Sequence, residues 1–205
     1  TSIKESNTKI WGLNPIHSEF GFSKSGLANF NTPYLTSENG PHNLPNTAYK
    51  FTGNVNSIMK INDSISRSYI LYSLTFSMWF RLNTLQTSTT ELLLFGTTGA
   101  SEFQITHRSN GELIYRHTSS GYIVGHVRHN KWSHFMLTRD HVTKTIKTYV
   151  DGILKYTNNY STAPAVSTND IFIGGTTSAG SACTLSNICV FDRVLTDDSL
   201  QKLYN

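Results

Sequence analysis

Trp132-Ser133-His134-Phe135-Met136-Leu137-Thr138-Arg139 is followed by Thr145-Ile146-Lys147-Thr148-Tyr149-Val150-Asp151-Gly152 and then by Ile153-Leu154-Lys155-Tyr156-Thr157. These three runs read as strands, because β-branched and aromatic residues dominate them and turn residues bound them. Asp151-Gly152 is a two-residue hairpin signal, since both residues tolerate positive φ.

The same grammar extends outward. Leu74, Phe76, Met78 and Phe80 alternate with Thr75, Ser77, Trp79 and Arg81 within a predicted strand over 72–82. Glu91 to Phe95 is an apolar strand ended by Gly96. Phe103 to Arg108 and Glu112 to His117 flank Ser109-Asn110-Gly111, a second hairpin signal. Gly121 to Val127, Asp170 to Gly174 and Thr184 to Phe191 complete the later strands. Upstream, Ala48 to Thr52, a turn at Gly53-Asn54, and Ser57 to Ile61 form an opening hairpin. Residues 1–47 are turn-rich, and read either as a first strand with long loops or as an irregular arm. Near the end, Thr196 is placed to cap a short helix. Asp197 and Asp198 stand in its first turn, and Leu200, Leu203 and Tyr204 face the sheet. Many strands separated by regular turns predict an all-β sandwich or jelly roll, organised as a single domain over 1–205.

Composition narrows the class. Charged residues make up 15% of the 205, against about 25% in an average soluble domain. Ser, Thr and Asn solvate the surface instead, which suits an extracellular, cell-surface or virion-surface β protein. The net charge is +4. Its basic residues are scattered and form no stripe, so nucleic acid is not an expected partner. No apolar run reaches the ~20 residues of a membrane span, so no membrane insertion is expected. No secretory leader opens the sequence, which fits a mature product or an excised domain. Cys183 and Cys189 lie six positions apart, too far along an extended strand for a disulfide without a bend. They read as two small buried residues.

Four segments in order resemble the laminin-G-like and pentraxin branch of the concanavalin A-like superfamily. They are Ala48-Tyr49-Lys50-Phe51-Thr52-Gly53 with Ser57 to Ile61, then Leu74 to Arg81, then Lys131 to Phe135 with Thr148-Tyr149-Val150-Asp151-Gly152, and last Ile171 to Gly175 with Leu185 to Thr196. The resemblance implies a concanavalin A-like jelly-roll β-sandwich of two antiparallel sheets with one short C-terminal helix. It does not imply one ligand, because the fold hosts lectins, adhesion modules, toxin receptor domains and some glycosidases. Read structurally, Trp79 and Trp132 are expected to fill the sandwich core.

The chemistry of catalysis is sparse. Glycosidases need two carboxylates across the scissile bond. Glu91, Glu102 and Glu112 are well separated in sequence, and no Gly-x-Ser-x-Gly elbow occurs. The chain therefore reads as non-catalytic. Pentraxins hold calcium in an acidic cluster. The matching stretches, Gly99 to Glu102 and Gly174 to Ser178, bring too few carboxylates, although a single calcium on Asn62, Asp63 or Asp170 stays open. His129 and His134 have zinc-like spacing but no cysteine pair beside them. No cofactor is expected. Asn62-Asp63-Ser64 and Asn159-Tyr160-Ser161 are glycosylation acceptors in a secreted chain. The hairpin bearing Tyr115, Arg116, His117, Ser119, Ser120, Tyr122, His126 and Arg128 combines aromatics with planar donors, the pairing that sugars favour. Tyr115, Arg116, His117, Tyr122, His126 and Arg128 are thus the expected ligand-binding residues, and an arginine there suits an acidic sugar. The expected partner is a glycan or glycoprotein receptor, as for the recognition domain of an adhesin, spike or matrix protein. A laminin-G-type protein-binding module and an accessory domain of a glycan-active enzyme are the alternatives.

Overall fold

Alternation along Leu74–Leu82 becomes two faces in the computed structural model. Leu74, Phe76, Met78, Phe80 and Leu82 enter the core at no more than 1% exposure, while Thr75, Ser77, Trp79 and Arg81 occupy the other face. The structure describes residues 9–13, 35–45, 47–55, 57–61, 73–83, 91–97, 103–117, 121–161, 171–176 and 178–205.

Two antiparallel sheets result. The large one runs in the order Ile153–Asn159 (β12), Thr145–Val150 (β11), Ser133–Asp140 (β10), Leu74–Leu82 (β5), Ala182–Phe191 (β14), Ala48–Thr52 (β3) and Leu35–Glu38 (β2). Lys9–Leu13 (β1) also pairs with β14. The small sheet runs Met59–Ile61 (β4), Ile171–Ile173 (β13), Leu92–Thr97 (β6), Gln104–His107 (β7), Glu112–Arg116 (β8) and Gly121–His126 (β9). One apolar core lies between them. Phe76 sits in it, with ring centroids 4.6 Å from Phe95, 5.5 Å from Phe103 and 6.3 Å from Phe135. Asp197–Tyr204 (α1) follows β14, and the Thr196 side chain accepts a hydrogen bond from Ser199 N, as expected of its cap.

Several expectations are corrected. β3 and β4 do not form a hairpin, because the turn at Gly53-Asn54 carries the chain from the large sheet to the small one. Within residues 1–47, β1 and β2 are strands added to the large sheet. At Ser109-Asn110-Gly111 only Gly111 has positive φ (85°), and its N–H bonds Arg108 O at 3.0 Å. This is a three-residue loop with glycine in the left-handed position, not a two-residue turn. Asp151-Gly152, by contrast, has positive φ at both positions, 52° and 75°. Trp79 is buried on the outer face of the large sheet rather than between the sheets. Tyr204 of α1 stacks on it at 5.7 Å, His134 lies at 4.7 Å and His42 at 5.4 Å. Trp132 is only half-buried, with the Arg81 guanidinium 5.4 Å from its ring. Cys183 is buried as expected, whereas Cys189, also on β14, is only half-buried, and the two are not bonded to each other.

Candidate functional site

The pleat of β10 and β11 sends Phe135, Leu137, Ile146 and Val150 inward. Met136, Thr138, Thr145, Lys147 and Tyr149 therefore stand on the outer face. Met136 pairs with Tyr149 and Thr138 with Lys147 across the strands. The chain after β14 returns over this face. Thr75, the outward neighbour of Thr138, holds it there: its hydroxyl donates to Arg193 O at 2.8 Å and accepts from Leu195 N at 2.9 Å. Leu200 of α1 is buried against the sheet at 3% exposure.

A groove of about 300 Å³ stays open between these two walls, lined by Thr138, Asp140, Thr143, Thr145, Lys147, Tyr149, Val194, Leu195, Asp197 and Leu200. A second compartment of about 320 Å³ shares Lys147, Tyr149, Asp197 and Leu200, and adds Met136, Gly152, Leu154 and Gln201. Asp140 Oδ1 accepts from the N–H of Val142 at 2.8 Å and of Thr143 at 3.2 Å. Burial acts to raise this carboxyl, but its hydrogen bonds to Thr143 and Val142 outweigh that and hold it below the usual carboxylate range. Burial raises the Tyr149 phenol, with the Asp197 charge adding to the effect. Tyr149 is therefore a neutral hydroxyl at physiological pH, able to donate and to accept. Four hydroxyl side chains, two carboxylates, one ammonium and an aliphatic wall can hold a polyol by donor and acceptor bonds on one side and C–H contact on the other.

The β8–β9 hairpin is divided by the same pleat. Tyr115 and His117 face the interior at 0% and 2% exposure, so neither is available to a ligand at the surface. Burial pushes the Tyr115 phenol up to about 12 and the His117 imidazole down. Tyr122 is half-buried between His117 at 5.5 Å and Tyr156 at 5.6 Å, helping to close the sandwich edge. Arg116 points outward and is held by Glu91 at 2.7 Å. His126 and Arg128 are exposed, with His126 Nε2 3.6 Å from Glu112 Oε1. Ser119 and Ser120 lie outside the described residues. The six expected residues thus do not share one surface.

The structure does bring Glu91 and Glu112 together, which their sequence separation hid. Arg108 bridges them at 2.9 and 3.0 Å. For Glu91, burial acts to raise the carboxyl, but Arg116, Arg108 and Thr106 outweigh it and hold it lowered. Glu112 is lowered chiefly by Arg108. Both are therefore ionised and ion-paired at neutral pH, a poor state for a general acid. Glu102 lies outside the described residues. Two Ser–His contacts also occur, Ser77 with His134 at 2.8 Å and Ser181 with His107 at 2.7 Å. All four residues are at most 2% exposed, and burial pushes both imidazoles down to about 4. These pairs satisfy buried polar atoms and do not meet solvent. Among the described residues no three His, Cys, Asp or Glu side chains are grouped to hold a metal ion. Gly99 to Glu102, Asn62, Asp63 and Asp170 lie outside them, as does the Asn62 glycosylation triplet. Asn159 is exposed at the end of β12 and accepts from the Thr145 hydroxyl at 3.2 Å. No helix among the described residues is long and apolar enough to cross a membrane.

Comparison with known proteins agrees with this architecture. A family model described as the concanavalin A-like lectin/glucanases superfamily matches residues 53–201. No curated protein matches by sequence. Among solved structures, the botulinum neurotoxin type G receptor binding domain superposes with a TM-score of 0.68 at 15% identity, over 97% of this chain and 51% of that one. The receptor binding domain of a botulinum neurotoxin C/D mosaic serotype gives 0.66 at 14% identity, over 96% and 51%. Trypanosoma rangeli sialidase, solved with the inhibitor DANA, gives 0.61 at 19% identity, over 83% of this chain and 29% of that one. The chain spans about half or less of each of these proteins, and at such identities the likeness concerns the fold.

Proposed function

Because this chain belongs to the concanavalin A-like lectin/glucanases superfamily, we propose that it is a non-catalytic recognition domain that binds a glycan in the groove between β10, β11 and the C-terminal segment. The observation that carries this reading is the groove itself. Thr138, Thr145 and Tyr149 offer hydroxyls beside the Asp140 and Asp197 carboxylates, opposite the aliphatic side chains of Val194, Leu195 and Leu200. That mixture matches the alternating O–H and C–H surface of a sugar ring. The adjoining compartment leaves room for a second ring.

Absence of catalysis is part of the proposal. It is supported by the sealed Ser–His pairs and by the ion-paired state of Glu91 and Glu112. A receptor glycan on a cell or virion surface is the proposed partner, and an extracellular or surface location the proposed setting. Receptor binding in the botulinum neurotoxin domains is in keeping with it, within the limits of a shared fold.

One observation favours a second reading. Val142 is 86% exposed beside the groove residue Thr143, and Val194 and Leu154, both groove residues, are 40% and 48% exposed. An apolar rim of this kind suits a protein partner of the laminin-G sort.

A glycan-array screen with and without a calcium chelator, repeated with Tyr149→Ala, tests the proposal. Selective, chelator-independent binding that Tyr149→Ala abolishes is expected. A blank array from folded protein would transfer the assignment to a protein ligand.

A further inference from the structure

The chain carries +4 overall, yet the groove does not share that sign. Its charged lining side chains are Asp140 and Asp197 against Lys147 alone, and the second compartment has Asp197 against the same Lys147. Lys144 in the adjoining turn is directed elsewhere, with its ammonium 5.7 Å from the Tyr160 ring and 3.4 Å from His141 Nε2. Asp140 is ionised at neutral pH, because the backbone N–H groups of Val142 and Thr143 stabilise its charge. Arg116, one of the arginines named as candidates for an anionic sugar, lies on the other sheet, where it is tied to Glu91, and Arg108 is tied to Glu91 and Glu112. An anionic ligand in the groove would thus face two carboxylates against a single lysine.

Resting on the glycan reading above, we infer that the groove selects uncharged oligosaccharides and discriminates against sialylated, uronic or sulfated ones. The carboxylates accept bonds from sugar hydroxyls and repel an acidic substituent at the same site.

The test measures binding of a neutral oligosaccharide, and of the same oligosaccharide carrying a terminal sialic acid or a sulfate, to the intact chain at low ionic strength. The neutral form is expected to bind about tenfold more tightly or better, with the gap closing as salt rises. In Asp140→Asn/Asp197→Asn, each amide keeps an acceptor oxygen and loses the charge. The variant should bind the acidic form more tightly than the parent does, and so narrow the gap. Equal or tighter binding of the acidic form by the parent protein, or weaker acidic binding by the double variant, overturns the inference. The two readings fail separately. If Tyr149→Ala abolishes binding and acidic glycans are still preferred, only the selectivity falls. If Tyr149→Ala leaves glycan binding intact, the groove assignment falls, and the selectivity argument with it.

Discussion

Acidification from pH 7 to pH 4 is expected to destabilise this fold by several kcal/mol through two buried histidines. His134 lies against Trp79 and Tyr204 on the outer face of β10 and bonds Ser77. His107 is buried beside Ser181. Burial pushes each imidazole from 6.5 down to about 4. An unfolded chain therefore takes up protons at these sites before the folded one does. The stability they contribute is fully present above pH 6.5 and is lost as pH falls toward 4. At about 1.4 kcal/mol per pKa unit, each histidine accounts for about 3 kcal/mol, and the pair for about 6. That is comparable with the whole stability of a typical domain, about 5–15 kcal/mol. His117, also lowered, acts in the same direction. The carboxylates of Glu38, Glu91 and Glu112 have lowered values as well, but they act mainly below pH 4.5. The assay is urea unfolding followed by tryptophan fluorescence at half-unit steps from pH 7.5 to 4. The midpoint should be level above pH 7 and fall steadily below 6.5. His107→Gln/His134→Gln should begin less stable at pH 7 and lose most of that slope. A midpoint that stays level down to pH 4.5 would refute the assignment of these histidines as buried and neutral.

Other substitutions test the packing. Phe76→Ala removes a fully buried ring from the inter-sheet core and should cost about 3–5 kcal/mol in chemical denaturation. Gly174→Ala should destabilise by at least about 1 kcal/mol and lower the melting temperature, because residue 174 has φ of +77° and a Cβ there would run into the Phe51 ring. Thr196→Ala removes the cap of α1 and should cost about 1 kcal/mol with an unchanged denaturant slope.

Much of the fold was legible because sandwich strands write their burial in alternate positions. Leu74 to Leu82 needed only the period to separate its faces, and Asp151-Gly152 announced a turn that its backbone adopts. The crossing at Gly53-Asn54 was not legible, since a turn residue does not say which sheet receives the next strand. The expected ligand-binding residues are divided between two faces for a different reason. Tyr115, Arg116 and His117 were grouped by nearness in sequence, whereas the pleat sends the tyrosine and the histidine inward and the arginine outward. Parity along the strand was the available signal. The groove is harder to foresee. Thr138, Tyr149, Val194 and Leu200 meet only because Thr75 clamps residues 193–195 onto the outer face of the large sheet, and no local pattern encodes that clamp.

Where a ligand sits decides between the groove and the small sheet. Backbone NMR of the isotope-labelled chain, titrated with a neutral oligosaccharide that binds it on an array, locates the ligand without any substitution. Shifts concentrated at Thr138, Thr145, Lys147, Tyr149 and Asp197 are predicted. Shifts concentrated instead at Arg116, His126 and Arg128, with the groove silent, would contradict the account and place recognition on the small sheet.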